Sequence, residues 1–307
     1  MQVAIIDCGT NTFNLFIAEV KNSSYRTIFK TKIPVKLGEG AIDRNLIAEV
    51  PFQRGIEALK THKITIEKYK TEKIFAFATS AIRSAKNGLE FVKVAKKETG
   101  IDINVIDGNR EAELIYYGVK QALYMGKEKS LIMDIGGGST EFIIANNKEI
   151  FWKKSFQLGV SRLLEKFKPN EPITKKEIEK VENYLEKEIQ PLLTAIKKHS
   201  TQSLVGASGS FDSIAEMVAH RFYKLQLLKG RTTFEFKINE MKAVHDALIK
   251  STYEERLRMK GLVKYRADMI VLSSIFVNLV IEKLKIKRMR LSIFALKEGV
   301  LWEIMNS

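Results

Sequence analysis

Cysteine is almost missing from this chain: Cys8 stands alone, so no internal disulfide can form, and a reducing, cytoplasmic setting is the expectation. Histidine is equally scarce. The four histidines, at 62, 199, 220 and 245, are widely separated and offer no ligand pair at helical spacing, which argues against a zinc centre. With 5 Pro and 18 Gly in 307 residues, Pro-rich linkers, collagen-like repeats and low-complexity tracts are excluded. Long apolar runs are lacking too. The most apolar stretch, Met269 to Ile281, is interrupted by Ser273, Ser274 and Asn278 and falls short of the roughly 20 residues that span a bilayer, so it is expected to be a buried helix. The run Met1 to Ile6 has no basic segment and reaches Asp7 too early for a secretory core, an expectation against export. Neither a Walker-type Gly-x-x-x-x-Gly-Lys-[Ser/Thr] motif nor a Rossmann Gly-x-Gly-x-x-Gly after a strand is found.

What remains is a globular composition, 45% apolar and 28% charged, long enough for two domains of ordinary size. Its charge is lopsided. Lys and Arg number 51 against 36 acidic residues, a net +15, so the long-range field attracts polyanions: nucleic acid, acidic membranes or polyphosphates. The basic run Lys283 to Arg290 alternates with apolar residues as a strand with one solvated face would, and alternatively as a track for a phosphate chain.

Two segments share one design. Val3-Ala4-Ile5-Ile6-Asp7 leads through Cys8-Gly9-Thr10-Asn11-Thr12 into Leu15 to Val20, and Ser130-Leu131-Ile132-Met133-Asp134 leads through Ile135-Gly136-Gly137-Gly138-Ser139 into Thr140 to Ala145. Each reads as a hairpin with an aspartate at the end of its first strand. They lie about 127 residues apart, a domain-sized rather than solenoid-sized repeat. Between them, Ile74 to Thr79 and Ile103 to Ile106 read as strands followed by helical tracts, the second from about Glu111 to Tyr124, which indicates an α/β chain. Beyond Glu149 the pattern turns helical: Thr174-Lys175-Lys176-Glu177 has capping-box form, and Ile178 to Ile196 follow at helical spacing. Asn239 and Ser251 are expected N-caps of two further helices.

Tight glycine-containing turns can hold a phosphate on converging backbone N–H groups, since glycine permits positive φ and close approach. Gly136, Gly137, Gly138 and Ser139 meet that need; Gly9, Thr10, Asn11 and Thr12 meet it with side-chain hydroxyls and an amide as additional donors. If the two turns face one cleft, Asp7 and Asp134 would hold a hydrated Mg²⁺, an ion that takes one or two carboxylates plus water and phosphate oxygens. The alternative is that both aspartates simply fix hairpin turns. Cys8 is expected to be a small packed side chain rather than a nucleophile.

Ile6 to Phe13 and Asp134 to Glu141 resemble the two phosphate motifs of exopolyphosphatases and guanosine pentaphosphate phosphohydrolases. The resemblance continues in order through Ala78 to Arg83, Gly108 to Leu114, Val205 to Ser210, Arg266-Ala267-Asp268 and Lys297-Glu298-Gly299, covering essentially the whole chain. It implies the actin-like, ribonuclease H-like superfold: a duplicated two-lobed ATPase architecture with a first lobe at 1–120, a second at 121–295 and a C-terminal helix at 296–307 returning to the first. It implies Glu111 as the general base activating water, Glu141 assisting the water or metal, and Gly209 and Ser210 as further phosphate-binding residues. Arg83 is the cation expected to grip two phosphate oxygens. Two positions depart from the family pattern: Asn14 stands where Arg or His is usual, and Arg110 replaces the first Glu of an acidic pair.

The resulting expectation is Mg²⁺-dependent release of terminal phosphate from inorganic polyphosphate, with guanosine pentaphosphate as a second substrate, lobe closure excluding water, no membrane partner, and pairing into a homodimer. Three alternatives stay open: an ATP-dependent kinase of the same superfold, a non-catalytic sensor of polyphosphate or guanosine polyphosphates, and a generic nucleic-acid binder held by charge alone.

Overall fold

Each Asp-turn-strand unit forms the antiparallel centre of its own sheet in the computed structural model, which describes residues 1–21, 24–224 and 227–306. The first sheet contains β1 (Gln2–Cys8), β2 (Thr12–Lys21) and β3 (Ser24–Pro34); helix α1 (Glu49–Lys68) precedes β4 (Lys73–Ala78), and α2 (Ser80–Ser84) and α3 (Gly88–Thr99) precede β5 (Ile103–Val105). After α4 (Gly108–Ala122) come β6 (Ser130–Ile135), β7 (Thr140–Ala145) and β8 (Ile150–Phe156) of the second sheet. Helices α5 (Val160–Phe167), α6 (Lys175–Glu188) and α7 (Gln190–Lys198) then lead to β9 (Ser203–Ala207) and α8 (Ser208–Phe222). The chain finishes with β10 (Thr233–Phe236), α9 (Ile238–Ile249), α10 (Tyr253–Arg256), α11 (Ile270–Lys283), β11 (Arg288–Ser292) and α12 (Leu296–Asn306).

Strand order is β3-β2-β1-β4-β5 in one sheet and, read from the matching edge, β8-β7-β6-β9-β11-β10 in the other. In both, a three-strand antiparallel meander is followed by strands running parallel to its first member, β4 beside β1 and β9 beside β6. The same motif twice is the duplicated ribonuclease H-like, actin-like α/β arrangement expected from the motifs. Asp7 sits opposite Asn14 and Asp134 opposite Glu141, so corresponding positions of the two hairpins point at corresponding places.

Apolar side chains divide into three cores. Ile6, Leu15 and Ala76 pack under α1 and α3, while Met133, Ile144 and Leu204 pack beneath α8, α11 and their neighbours. The third core lies between the sheets. Val3, Ile5 and Phe16 from one and Ile132, Ile143 and Val205 from the other close on α4 and α12, and α12 packs on α4 and β1. Tertiary burial thus recruits both faces of β1 and β6, which explains their continuous apolar runs.

Several local expectations change. The tract from Ile178 to Ile196 is two helices, because the turn at Ile189 and Pro191 in the first turn of α7 break it; the Thr174–Glu177 capping box is present. The caps of α9 and α10 are Lys237 and Thr252, not Asn239 and Ser251. Only Arg288 onward of the basic run is strand, since α11 extends to Lys283; Arg288 pairs with Glu235, and Arg290 donates to the Tyr124 carbonyl. The apolar stretch from 269 is indeed the buried helix α11, Cys8 is packed, and no helix among the described residues is long and apolar enough to cross a membrane. His62 meets the Phe13 carbonyl at 3.1 Å and His245 the Ser274 hydroxyl at 3.1 Å, both as buried structural groups.

Helices α4 and α12 cross at reciprocal glycines. A Cβ on Gly118 would strike the Ala295 carbonyl, and one on Gly299 the Leu114 carbonyl. Helix propensity alone favours Gly299→Ala by about 1 kcal/mol. Overpacking at this crossing opposes it by roughly 1–3 kcal/mol. Gly299→Ala is therefore expected to lower the urea midpoint, and an increase would show that the helices separate freely.

Candidate active site

Both hairpin turns open on one cleft of about 420 Å³ lined by Asp7, Asp134, Glu111 and the two glycine-containing loops. The turns are built alike. Gly9 N–H donates to the Thr12 carbonyl at 3.1 Å, and Gly136 N–H to the Ser139 carbonyl at 3.0 Å. None of Gly9, Gly136, Gly137 and Gly138 is among the residues at positive φ, so the loops use glycine for room rather than for handedness. A Cβ on Gly137 would lie 2.6 Å from the Asn11 amide nitrogen, and one on Gly138 would lie 2.7 Å from both the Thr10 and Ser80 hydroxyls. The two lobes meet there, loop against loop.

Further bonds latch the same rim. Ser161 Oγ donates to Asn11 Oδ1 at 2.7 Å, and the Asn11 amide approaches Met269 Sδ at 3.3 Å, so this side chain is occupied by lobe contact. Arg162 donates to the Gly138 carbonyl, the Ile42 carbonyl, Asn45 Oδ1 and Ser84 Oγ at 2.7–3.1 Å, joining both lobes through one guanidinium. Lys36 pairs with Asp268 across the gap at 2.8 Å.

The carboxylates are poorly hydrated. Asp7 accepts from the Asn14 amide at 3.1 Å; desolvation raises its pKa to about 6, against the lowering influence of Lys297. Asp134 accepts from Ser208 Oγ at 2.5 Å and is pushed to about 7 by burial first, then by the charges of Glu141, Asp7 and Asp212. Glu111 stands in the first turn of α4, whose N-cap Asp107 accepts from two backbone N–H groups. Its Oε2 accepts from Arg83 Nη1 at 2.8 Å, yet burial and the neighbouring Glu141 hold the acid well above the usual carboxylate range. Glu141 is also raised by burial, partly offset by hydrogen bonds from Ser155 and Ser139. Ser155 Oγ donates to it at 2.6 Å.

The expected residues therefore occupy two tiers. Asp7, Gly9, Thr10, Asn11, Thr12, Glu111, Asp134, Gly136, Gly137, Gly138, Ser139, Gly209 and Ser210 line the cleft. Arg83 and Glu141 do not. Arg83 Nη1 donates to Glu111 and to the Ile106 carbonyl, so the guanidinium stands against the acid, outside the cleft lining. Of the two departures, Asn14 lines the cleft, whereas Arg110 does not: it pairs with Glu113 within α4 and links α4 to α12 through Glu303. Sequence reasoning did not single out Lys30, Lys32 and Asp212, which also line the cleft. Alternation along β3 places Lys30 and Lys32 on one face, opposite Phe16 and Asn14, a period-two signal present in the sequence. Asp212 carries no comparable mark. Its position in the cleft depends on the start of α8.

The chain is similar over its full length to solved structures. An exopolyphosphatase from Cytophaga hutchinsonii ATCC 33406 is 36% identical, covering 100% of this chain and 98% of that one, with a TM-score of 0.95. A Ppx/GppA family member from Aquifex aeolicus is 26% identical over 100% of this chain and 98% of its own, with a TM-score of 0.81. A guanosine-5'-triphosphate,3'-diphosphate pyrophosphatase of Photobacterium profundum is 28% identical over 99% of this chain, which spans 59% of that protein's length. The family model described as the Ppx/GppA phosphatase family matches residues 16–307. With nearly its whole length inside that match, and its two glycine-containing turns in one cleft, the chain belongs to the Ppx/GppA phosphatase family.

Proposed function

We propose that the protein is an exopolyphosphatase that hydrolyses the terminal phosphoanhydride of inorganic polyphosphate, with guanosine pentaphosphate as a second substrate of the same cleft. One observation carries the reading: two turns of the same construction, each beside a desolvated aspartate, line a single cleft that also contains Glu111. The similarity to an exopolyphosphatase of Cytophaga hutchinsonii supports polyphosphate, and that to the Photobacterium profundum enzyme supports the guanosine nucleotide.

Backbone N–H groups of the two turns are suited to the oxygens of the terminal phosphates, and the Thr10 and Thr12 hydroxyls can add donors. Glu111 is suited to the base. A carboxylate whose pKa is raised by burial accepts a proton from water more readily than a solvated one, and Arg83 fixes its orientation from behind. The water oxygen forms the new bond to phosphorus, its proton passes to Glu111, and the P–O bond to the shortened chain breaks. Glu141 adds negative charge beside Glu111, raising its basicity, rather than touching substrate.

Asp7 and Asp134 fit a divalent hard cation. They are two desolvated carboxylates in one cleft. A set of two suits hydrated Mg²⁺, which completes its shell with water and phosphate oxygens. When bound, such an ion supplies neutralisation of charge on the phosphoryl oxygens.

Two outcomes follow. Glu111→Gln is expected to cut phosphate release from polyphosphate at least about 100-fold while leaving polyphosphate binding intact, because general base catalysis is worth about that much or more. Parallel phosphate-release and binding titrations measure this; near-normal turnover removes Glu111 as base. The second concerns pH. Asp134 has a folded pKa near 7 and an ordinary unfolded one near 3.8, so the stability from its bound proton is full below about 4 and lost as pH rises through about 7. In chelator, Asp134→Asn should therefore gain stability relative to the parent between pH 5 and pH 8, on the order of a few kcal/mol. Urea unfolding at the two pH values measures it, and an equal difference at both contradicts the desolvation account.

A further inference from the structure

The cleft has a second kind of wall. Beyond Asp7, Lys30 and Lys297 line it, and behind them lies Glu298, which is fully buried and does not itself reach the cleft. Glu298 Oε1 lies 3.2 Å from Lys297 Nζ and 3.4 Å from Lys30 Nζ. Its other oxygen accepts from the Ala295 N–H at 3.0 Å, capping the start of α12. Lys30 also stands over the rings of Phe16, at 4.4 Å, and Phe294, at 5.4 Å. Two ammonium groups that would repel each other are thus collected by one carboxylate, and Lys30 is also held against aromatic faces, leaving one unit of positive charge in the Lys30–Lys297–Glu298 cluster. Both lysine side chains stay partly exposed, 38% for Lys30 and 23% for Lys297.

Ammonium groups have three donors each, and a single shared carboxylate oxygen leaves most of them free. At the other end, the glycine-containing turns and Glu111 suit the scissile phosphate. An anion extending from there past Asp7 meets the lysines next. We infer that Lys30 and Lys297 form a binding subsite for the phosphate units behind the scissile bond, and that Glu298 is the positioning residue that holds the two ammoniums ready. This deepens the reading above and rests on it for the direction in which substrate lies. The occupant is a condensed phosphate of three or more units; orthophosphate has no units behind a scissile bond. Holding the cations in place beforehand spares the ordering of two long side chains when the substrate arrives.

Glu298→Gln separates charge from architecture, since glutamine keeps an acceptor for the Ala295 N–H but loses the attraction for both lysines. Binding of tripolyphosphate and of orthophosphate is measured by calorimetry for the parent, Glu298→Gln, Glu298→Asp and Lys297→Met, together with thermal midpoints and steady-state kinetics on tripolyphosphate. The expected result is about tenfold weaker tripolyphosphate binding in Glu298→Gln and Lys297→Met, partial recovery in Glu298→Asp, and orthophosphate affinity changed less than about twofold. In kinetics KM rises about tenfold with kcat within about twofold. Unchanged tripolyphosphate affinity in Lys297→Met overturns the subsite, as does an equal loss for both anions, which would mark a diffuse field. If Glu298→Gln fails to fold, Lys297→Met decides alone, because its side chain ends at the cleft. A parent that binds tripolyphosphate through these residues but releases no phosphate keeps the subsite and removes the hydrolase reading.

Discussion

Everything at the centre of this molecule depends on two tight turns standing tip to tip, with no side chain on the glycines of the second turn. Gly137 and Gly138 leave room for Asn11, Thr10 and Ser80 of the opposite lobe. A larger residue at either position would force the lobes apart, and with them Asp7 and Asp134. The close approach is made at the ends of β1 and β6, strands buried on both faces, so the tips have little freedom to shift. The Arg162 fork and the Lys36–Asp268 pair then fasten the rim. Rigid strands, small residues at the contact and polar latches outside it form one continuous mechanical argument.

That geometry sets the electrostatics. Bringing two aspartates and Glu111 into one partly enclosed space removes water from all three, and the charge of Glu141 further raises the proton affinity of Glu111 and Asp134. The cost is tolerated because the same space suits charge that arrives from outside: a cation beside the aspartates and an anion over the turns and lysines. Neither alone would balance the site. The overall charge of +15 draws polyanions toward the protein, but the cleft does not follow the global average, since Asp7, Glu111, Asp134 and Asp212 line it together with Lys30, Lys32 and Lys297.

Much of this was legible in the sequence because it is local. An aspartate closing an apolar run, a small-residue turn and a second apolar run form a hairpin through contacts within a dozen residues, and the duplicated unit gave the two-lobed α/β fold. Helix ends were less legible: a run with the right periodicity from Ile178 to Ile196 conceals the break at Ile189, since apolar spacing survives a short turn. The Lys283–Arg290 run misled for a related reason, because alternation there spans the end of α11 as well as the start of β11. Least legible were partnerships between distant segments. That Arg83 would be taken by Glu111, that Arg110 would bind α12, and that Lys30 would share Glu298 with Lys297 are facts of packing with no local signature.

Asn14 shows how one departure can propagate through such a site. Where the family pattern carries a cation, this chain places an amide that donates to Asp7 but cannot neutralise it, so Asp7 keeps a proton affinity well above that of a solvated carboxylate. Next to Asn14 in the ladder is Lys32, a cation with no ion pair or hydrogen bond among the described residues. Because directly opposed residues share a face, Lys32 carries positive charge to the cleft wall one strand outward from Asn14. The aspartate is left to attract a cation, and the lysine to attract an anion. A cation at position 14, added to the Lys297 charge that already lowers the Asp7 pKa, would weaken the first attraction in supplying the second; separation by one strand lets the cleft exert both.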